Sequence, residues 1–254
     1  MKTSYILPLA LLFLLASCQD DSVSPGERGS LIIEFDNRIG TEDLVLSSDY
    51  TNPHGETFRL TRLNYYISNV KLTRTDGTQF VVPQDSSYFL IMEDSPSTQK
   101  ARINNIPAGD YNAITFTIGV DSLRSTMDIS KRTGVLDPAQ GHDGMYWTWN
   151  SGYIFFKMEG VSSAAPDDQD NKFYYHIGGF GGYDSPTLNN LRDVVIEMGN
   201  ARAEVRSSKQ PQVHLHVDVQ EFFSNPENIR ISEHSNVMFS EYSRTISGNY
   251  VNMF

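Results

Sequence analysis

Eight short segments rich in β-branched and aromatic residues run along the chain, and turn signals separate them. Segments of this composition are typical of strands, and the Asn-Pro, Asp-Gly and Pro-Ala-Gly runs between them are typical of tight turns. This pattern favours a β-sandwich or a related antiparallel barrel. We predict the first: an all-β fold, an antiparallel β-sandwich with a few short helices, one of them at the C-terminus. The predicted strands are residues 31–35, 63–73, 88–92, 111–120, 153–158, 173–177, 194–198 and 213–223.

Helix signals are few and concentrate near the C-terminus. Residues 121–130 have room for one or two helical turns. Asn225-Pro226 has the form of a helix cap followed by a proline at the first helical position. We predict that the C-terminal helix lies within residues 233–253.

The N-terminus predicts a lipoprotein signal. Residues 1–17 carry one lysine and a short apolar run that ends in Leu-Ala-Ser, directly before Cys18. The run is too short for a spanning helix. Cys18 is the only cysteine, and it stands where a lipoprotein is cleaved and lipidated; the alternative is an ordinary signal peptide that happens to contain a cysteine. We therefore expect a signal peptide over 1–17, a lipidated tether over 18–30 and one domain over 31–254, with the membrane as partner.

Charge bears on location and on partners. The acidic pair that follows Cys18 resembles the export signal of Bacteroidetes-type lipoproteins, so we expect an outer-membrane lipoprotein that faces either the periplasm or the cell surface. Without residues 1–17 the chain has 19 Lys and Arg against 31 Asp and Glu, a difference of −12. An acidic chain without a basic stripe binds nucleic acid poorly, and we expect no nucleic-acid partner.

Enzyme motifs are absent from the sequence. It contains no Gly-x-Ser-x-Gly elbow, no His-Glu-x-x-His, no Walker loop and no Cys-x-x-Cys, so we expect a binding protein rather than an enzyme. The glycine cluster at 178–182 indicates a flexible loop. The acidic run at 166–171 is either a solvated loop or a calcium ligand set without the spacing of an EF-hand.

The predicted strand 213–223 places two histidines on one face. Apolar residues alternate there with His214, His216 and Asp218, which predicts one core face and one wet face. Two imidazoles at alternate positions have the geometry to hold one metal ion, with Asp218 behind them. The alternative is a plain polar face without a metal.

Both tryptophans of the chain lie in residues 144–160. On one regular strand, Trp147 and Trp149 would face away from the Ile/Phe/Met side of the residues that follow. One bulged residue within 150–152 would bring them onto that side, so we expect a kink there, with the indoles at the end of a strand near a rim. The alternative for both indoles is simple core packing.

Several motifs together resemble the MbnP-like family of copper-binding proteins. They are GMYWTWNSGYIFFKMEG, FYYHIGG, LNYYISNVKL, PAGDYNAITFTIGVDS and the tail EHSNVMFS…NYVNMF, in order over roughly residues 31–254. The resemblance implies a surface or periplasmic protein that holds copper through histidines and a tryptophan oxidised to kynurenine. It also implies a partner enzyme, a di-haem cytochrome c peroxidase of the MauG type. Neutral imidazole suits copper, and an indole is readily oxidised.

Carried onto this sequence, the resemblance implies a copper site with Trp147, Trp149 and His176. By its position alone, His176 is either a satisfied core side chain or a ligand at a site rim. Many relatives have a histidine where this chain has Asn37, and His142 is a candidate replacement. The expected function is copper acquisition or handling by a membrane-anchored lipoprotein; the alternative is a metal-free β-sandwich lipoprotein with a binding or assembly role.

Overall fold

The computed structural model describes residues 23–149 and 152–254. The predicted signal peptide, Cys18 and the first part of the tether lie outside the described residues, as do Asn150 and Ser151. The first strand begins at Arg28, three residues before the predicted domain start at 31.

The described residues form fifteen strands, three α-helices and eight 3-10 helices. The strands are β1 (Arg28–Ile39), β2 (Glu42–Asp43), β3 (Tyr50–Thr51), β4 (Thr57–Arg74), β5 (Gln79–Val81), β6 (Tyr88–Met92), β7 (Lys100–Pro107), β8 (Gly109–Ile118), β9 (Tyr146–Trp147), β10 (Gly152–Ser162), β11 (Lys172–Gly178), β12 (Arg192–Glu197), β13 (Ala203–Val205), β14 (Gln212–Asp218) and β15 (Asn236–Val237). The α-helices are α1 (Ser122–Ser125), α2 (Val219–Ser224) and α3 (Ser243–Tyr250). The 3-10 helices are Gln84–Ser86, Pro96–Gln99, Ile129–Lys131, Gly134–Leu136, Pro138–Gln140, His142–Gly144, Asp167–Gln169 and Val251–Met253.

The strands form two sheets. In the smaller sheet β1 lies between β14 and β7, and β2 pairs with the end of β1. The larger sheet has the order β12-β8-β4-β10-β11-β15, and the shorter strands pair with β4, β8 or β10. Strand pairs are antiparallel except β1 with β14 and β11 with β15. The predicted fold class, an antiparallel β-sandwich with a few short helices including a C-terminal one, is confirmed.

The main core lies between the two sheets. Phe35 on β1 meets Tyr65 on β4 and Phe116 on β8, at ring-centroid distances of 6.2 and 5.7 Å. The ring of the last residue, Phe254, packs edge-on against all three of them. Along β1 the buried residues alternate with partly exposed ones, among them Glu34 and Asp36. The smaller sheet therefore has one face buried in the core and one face open to solvent, which we call the wet face.

A second apolar cluster covers the other face of the larger sheet. It holds Tyr66 from β4 and Tyr153 from β10, beneath the segment that follows β8. The two hydroxyls donate hydrogen bonds to the carbonyls of Val135 and Leu136 at 2.9 and 2.5 Å. Strand β10 is therefore buried on both of its faces, and the tryptophan motif belongs to this second cluster.

The predicted strand 213–223 is wrong in its second half. The strand ends at Asp218, whose side chain accepts a hydrogen bond from the backbone N–H of Gln220 at 2.9 Å and caps α2. Aspartate is a favoured N-cap. Val219, Phe222 and Phe223 follow at helical spacing, and all three are fully buried. Helical periodicity thus replaces strand alternation after the cap.

The C-terminal region differs from prediction at Asn225-Pro226. This pair does not start a helix: Asn225 follows the last residue of α2, and its peptide bond to Pro226 is cis. The C-terminal helix is α3, followed by a 3-10 turn, within the predicted range 233–253.

Candidate functional site

The tryptophan motif forms a hairpin with β10. Tyr146 pairs with Tyr153 and Trp147 with Gly152 in antiparallel register, so the chain reverses between Trp147 and Gly152. The expectation of one strand kinked by a bulge at 150–152 is wrong in this respect. A bulge bends a strand but does not pair it with itself, whereas Tyr146 and Trp147 pair with the start of β10.

The two indoles lie in different environments. Trp147 is 5% exposed and Trp149 is 65% exposed, while their ring centroids are only 5.3 Å apart at an interplanar angle of 43°. Trp147 also meets the ring of Phe239 edge-on at 6.2 Å. Next to Trp147 a cavity of about 170 Å³ is lined by Phe180 and Tyr183 of the glycine-rich loop. Only the second indole of the motif is open to solvent.

His176 lies on β11 in a cluster of charged side chains. Its Nε2 is 2.7 Å from Oε1 of Glu159 on β10. The same carboxylate accepts a hydrogen bond from Arg62 at 3.0 Å and lies 3.6 Å from Nζ of Lys157. Burial on its own raises the pKa of Glu159, but the hydrogen bond with His176 and the nearby cations outweigh it and lower the pKa below its ordinary value. We call Arg62, Lys157, Glu159 and His176 the Glu159 cluster.

Trp147 and His176 are brought to the same face of β11. His176 and Gly178 are two positions apart on β11, so they share a face of the strand. The six-membered ring of Trp147 lies over Gly178: a Cβ added to this glycine would be 2.7 Å from Cζ3 of Trp147. However, the imidazole of His176 is engaged by Glu159, and two cations share that carboxylate. A copper ion at His176 would have to displace the hydrogen bond with Glu159, close to the positive charges of Arg62 and Lys157. The site formed by Trp147 and His176 therefore offers copper one imidazole, which is already hydrogen-bonded to Glu159.

A different group of ligands lies on the wet face of the smaller sheet. Because β14 runs parallel to β1, His216 is opposite Asp36 and His214 is opposite Glu34. Nε2 of His214 is 2.7 Å from Oδ2 of Asp36, and Nε2 of His216 is 3.8 Å from the same oxygen. One ligand atom from each of Asp36, His214 and His216 lies within 4.8 Å of the other two. Among residues 23–149 and 152–254, this is the one such group of three or more His, Cys, Asp or Glu side chains.

The acid of this group is not the one the sequence predicted. Asp218 is turned toward the backbone, where its Oδ1 accepts hydrogen bonds from the N–H groups of Gly40 and Gln220 at 2.8 and 2.9 Å. Its place beside the imidazoles is taken by Asp36, which sequence reasoning missed. The outward alternation of β1 does mark Asp36 as a surface residue. Nothing in the sequence shows that β1 pairs with β14.

Asp36 is held as a carboxylate by its neighbours. Its side chain is 17% exposed, and burial alone raises its pKa; hydrogen bonds with His214 and Arg38 reverse this and lower the pKa below the ordinary value. Nε of Arg38 donates to Oδ2 at 2.8 Å. The group therefore offers an anionic oxygen next to two imidazoles whose side chains are 47% and 60% exposed.

Asn37 points to the opposite side, into the protein. It is 2% exposed, accepts a hydrogen bond from the hydroxyl of Tyr65 at 2.8 Å and donates one to Oε2 of Glu93 at 2.8 Å. Burial, with help from nearby acids, raises the pKa of Glu93 to about 7, although the hydrogen bond from Asn37 works against the rise. Asn37 thus links Tyr65 and Glu93 in a buried hydrogen-bond network.

The remaining sequence candidates have local partners. Nε2 of His142 lies 2.9 Å from the carbonyl oxygen of Gly134, within the segment that covers the second cluster. In the acidic loop, Asn171 donates to Asp167 at 2.6 Å and Lys172 pairs with Asp170 at 3.0 Å. These contacts are those of a self-bonded surface loop.

Taken together, the two sheets, the tryptophan hairpin over β11 and the polar outer face define a β-sandwich. The MbnP family matches residues 28–239, and the chain belongs to this family, as its motifs predict. The solved structure of MbnP from Methylosinus trichosporium is similar in fold: the TM-score is 0.58 at 15% sequence identity, and the match covers 85% of this chain and 82% of that one. Comparison with curated proteins finds no match. In the part of the chain that the structure describes, no helix has the length and apolar character to span a membrane.

Proposed function

We propose that this chain is a lipid-anchored copper-binding protein of the cell envelope. Cys18 would attach it to the outer membrane, with the domain facing the periplasm or the outside. Membership of the MbnP family supports a role connected with copper. The observation on which the proposal depends most is the group of two imidazoles and one carboxylate within reach of a single ion, because these donors suit copper. The role is binding and handling of the metal, not catalysis.

Copper uptake tests this proposal. The full chain, with Cys18→Ser to remove its only thiol, is titrated with Cu(II) against a competing chelator. We expect one copper ion per chain to be retained, and dialysed protein to keep it. The metal-free alternative, a β-sandwich lipoprotein with an assembly role, predicts no copper retained above that of a histidine-free control protein.

We further propose that a di-haem peroxidase oxidises the tryptophan motif, using hydrogen peroxide as the oxidant. Two molecules of hydrogen peroxide cleave the C2–C3 bond of the indole, giving N-formylkynurenine and two molecules of water. Hydrolysis by one water then releases C2 as formate, so the residue loses one carbon and gains one oxygen. Trp149 is the exposed indole, 5.3 Å from the buried one, and is the ring that a protein partner can reach.

Mass spectrometry checks the oxidation. Coexpression with the peroxidase is expected to shift the mass of the peptide that contains both tryptophans, and Trp149→Phe is expected to reduce the shift strongly, whichever ring is converted. An unshifted peptide after coexpression would rule out the peroxidase partnership. A shift equally strong in Trp149→Phe would show that the exposed ring is not the point of access.

A further inference from the structure

The wet face of the smaller sheet has the geometry of a metal site. Asp36, His214 and His216 converge there from two neighbouring strands. Two ligands that are each about 2 Å from one ion lie at most about 4 Å apart. Oδ2 of Asp36 is 2.7 and 3.8 Å from the two Nε2 atoms, and the imidazoles cross at 88° with centroids 5.1 Å apart. The three ligand atoms lie within 4.8 Å of one another, so the donors have to approach by about 1 Å at most to share one ion.

The donor set selects the class of metal. Two neutral imidazoles and a carboxylate suit a divalent transition ion, and among these Cu(II) binds most tightly to nitrogen and oxygen ligands. Strand pairing fixes the backbone spacing of the three residues, so little order has to be gained when the ion enters. The side chains of His214 and His216 are 47% and 60% exposed, so an ion can reach them from solvent.

Two basic side chains lie near this group. Arg38 donates to Asp36 from the same strand, and Lys100 of β7 pairs with Glu34 at 3.1 Å. Arg38 donates to Oδ2 of Asp36, which is also the oxygen nearest to His214. An ion bound to that oxygen would therefore replace the guanidinium there. Arg38 is 28% exposed in its side chain, so it has room to turn toward water when it is displaced.

The site formed by Trp147 and His176 offers copper fewer ligands than the group on the smaller sheet. There the single imidazole of His176 is paired with Glu159, and Lys157 and Arg62 add positive charge to the same carboxylate. The group on the smaller sheet has two imidazoles, and one cation on its carboxylate. We infer that copper binds this chain at Asp36, His214 and His216, on the smaller sheet, and not at His176. This inference rests on the proposed function, since it locates the copper that the proposal requires.

A set of variants of the full Cys18→Ser chain tests the location by Cu(II) titration against a chelator. Loss of a neighbour that merely orients a ligand costs about 10- to 100-fold in metal affinity, so removal of a ligand is expected to cost at least about 100-fold. His214→Ala/His216→Ala and Asp36→Asn should each show this loss, and His176→Ala should bind like the parent. His214 and His216 are exposed, so their variants should unfold at the same temperature as the parent, and this is checked first.

The outcomes separate the inference from the proposed function. Copper binding that is lost in His176→Ala but kept in the His214/His216 variant overturns the inference and leaves the function standing. Binding kept in all variants also overturns the inference. A parent that binds no copper overturns the proposed function itself.

Discussion

Glu159→Gln is expected to lower the free energy of unfolding by about 3 kcal/mol. The carboxylate of Glu159 is hydrogen-bonded to His176 and Arg62 and lies close to Lys157. A glutamine keeps the shape of the side chain but loses the charge. Its amide N–H₂ group would also face one of the groups that now donate to the carboxylate, so two donors would meet. Urea denaturation at neutral pH measures the difference.

The pH dependence of this loss has a definite sign. The pKa of Glu159 in the folded protein lies below its ordinary value of 4.5, so its contribution to stability is present above that pH. It is lost as the pH falls through the folded-state pKa. Parent and variant should therefore differ fully at pH 7 and converge in acid.

Asp49→Asn is the matched control. Asp49 pairs with Arg59, and both side chains are more than half exposed, so this change should cost much less stability than Glu159→Gln. A Glu159→Gln loss as small as that of the control would show that the Glu159 cluster contributes no more than an ordinary surface pair.

Gly178→Ala is expected to destabilise the protein by about 3 kcal/mol and to move Trp147. A Cβ at this position would clash with the carbonyl oxygen of Tyr153 and lie 2.7 Å from Cζ3 of Trp147. Neither the strand backbone nor the buried indole can move aside freely in a packed interior. The close approach of β10, β11 and the indole thus requires a glycine.

Gly248→Ala in α3 is the control for this change. An added Cβ at Gly248 meets nothing within 4 Å, and alanine is the better helix former, so stability should rise by about 0.5–1 kcal/mol. In a Trp149→Phe background, the fluorescence of Trp147 should shift to the red in Gly178→Ala and remain unchanged in Gly248→Ala. An unshifted spectrum in Gly178→Ala would contradict the packing of the indole on β11.

The sequence predicts the strands well where composition is decisive. Residues 88–92 are strand β6 from end to end, and β4, β8, β10 and β11 include the predicted segments almost entirely. The short strands were missed because two or three residues carry no readable periodicity. The helix α2 was missed because Val219 and Phe223 continue an apolar alternation that the N-cap at Asp218 in fact ends.

Only part of the candidate metal site on the smaller sheet could be predicted from the sequence. Alternation along β14 marks His214 and His216 as neighbours on one face. Asp36 is 178 positions away from His214 in the chain, and only the parallel pairing of the first and last long strands brings them together. The pairing of His176 with Glu159 likewise depends on the register of β10 and β11. Family motifs predict the fold, but ligand sets that depend on strand register have to be read from the structure.

Pulsed electron paramagnetic resonance of the Cu(II)-loaded full chain tests the central claim most directly. Copper bound by Asp36, His214 and His216 should give the modulation that arises from the remote nitrogens of two coordinated imidazoles. This modulation should be unchanged in His176→Ala and absent in His214→Ala/His216→Ala. The same spectrum in the parent and in the His214/His216 variant would contradict the claim that copper binds on the smaller sheet.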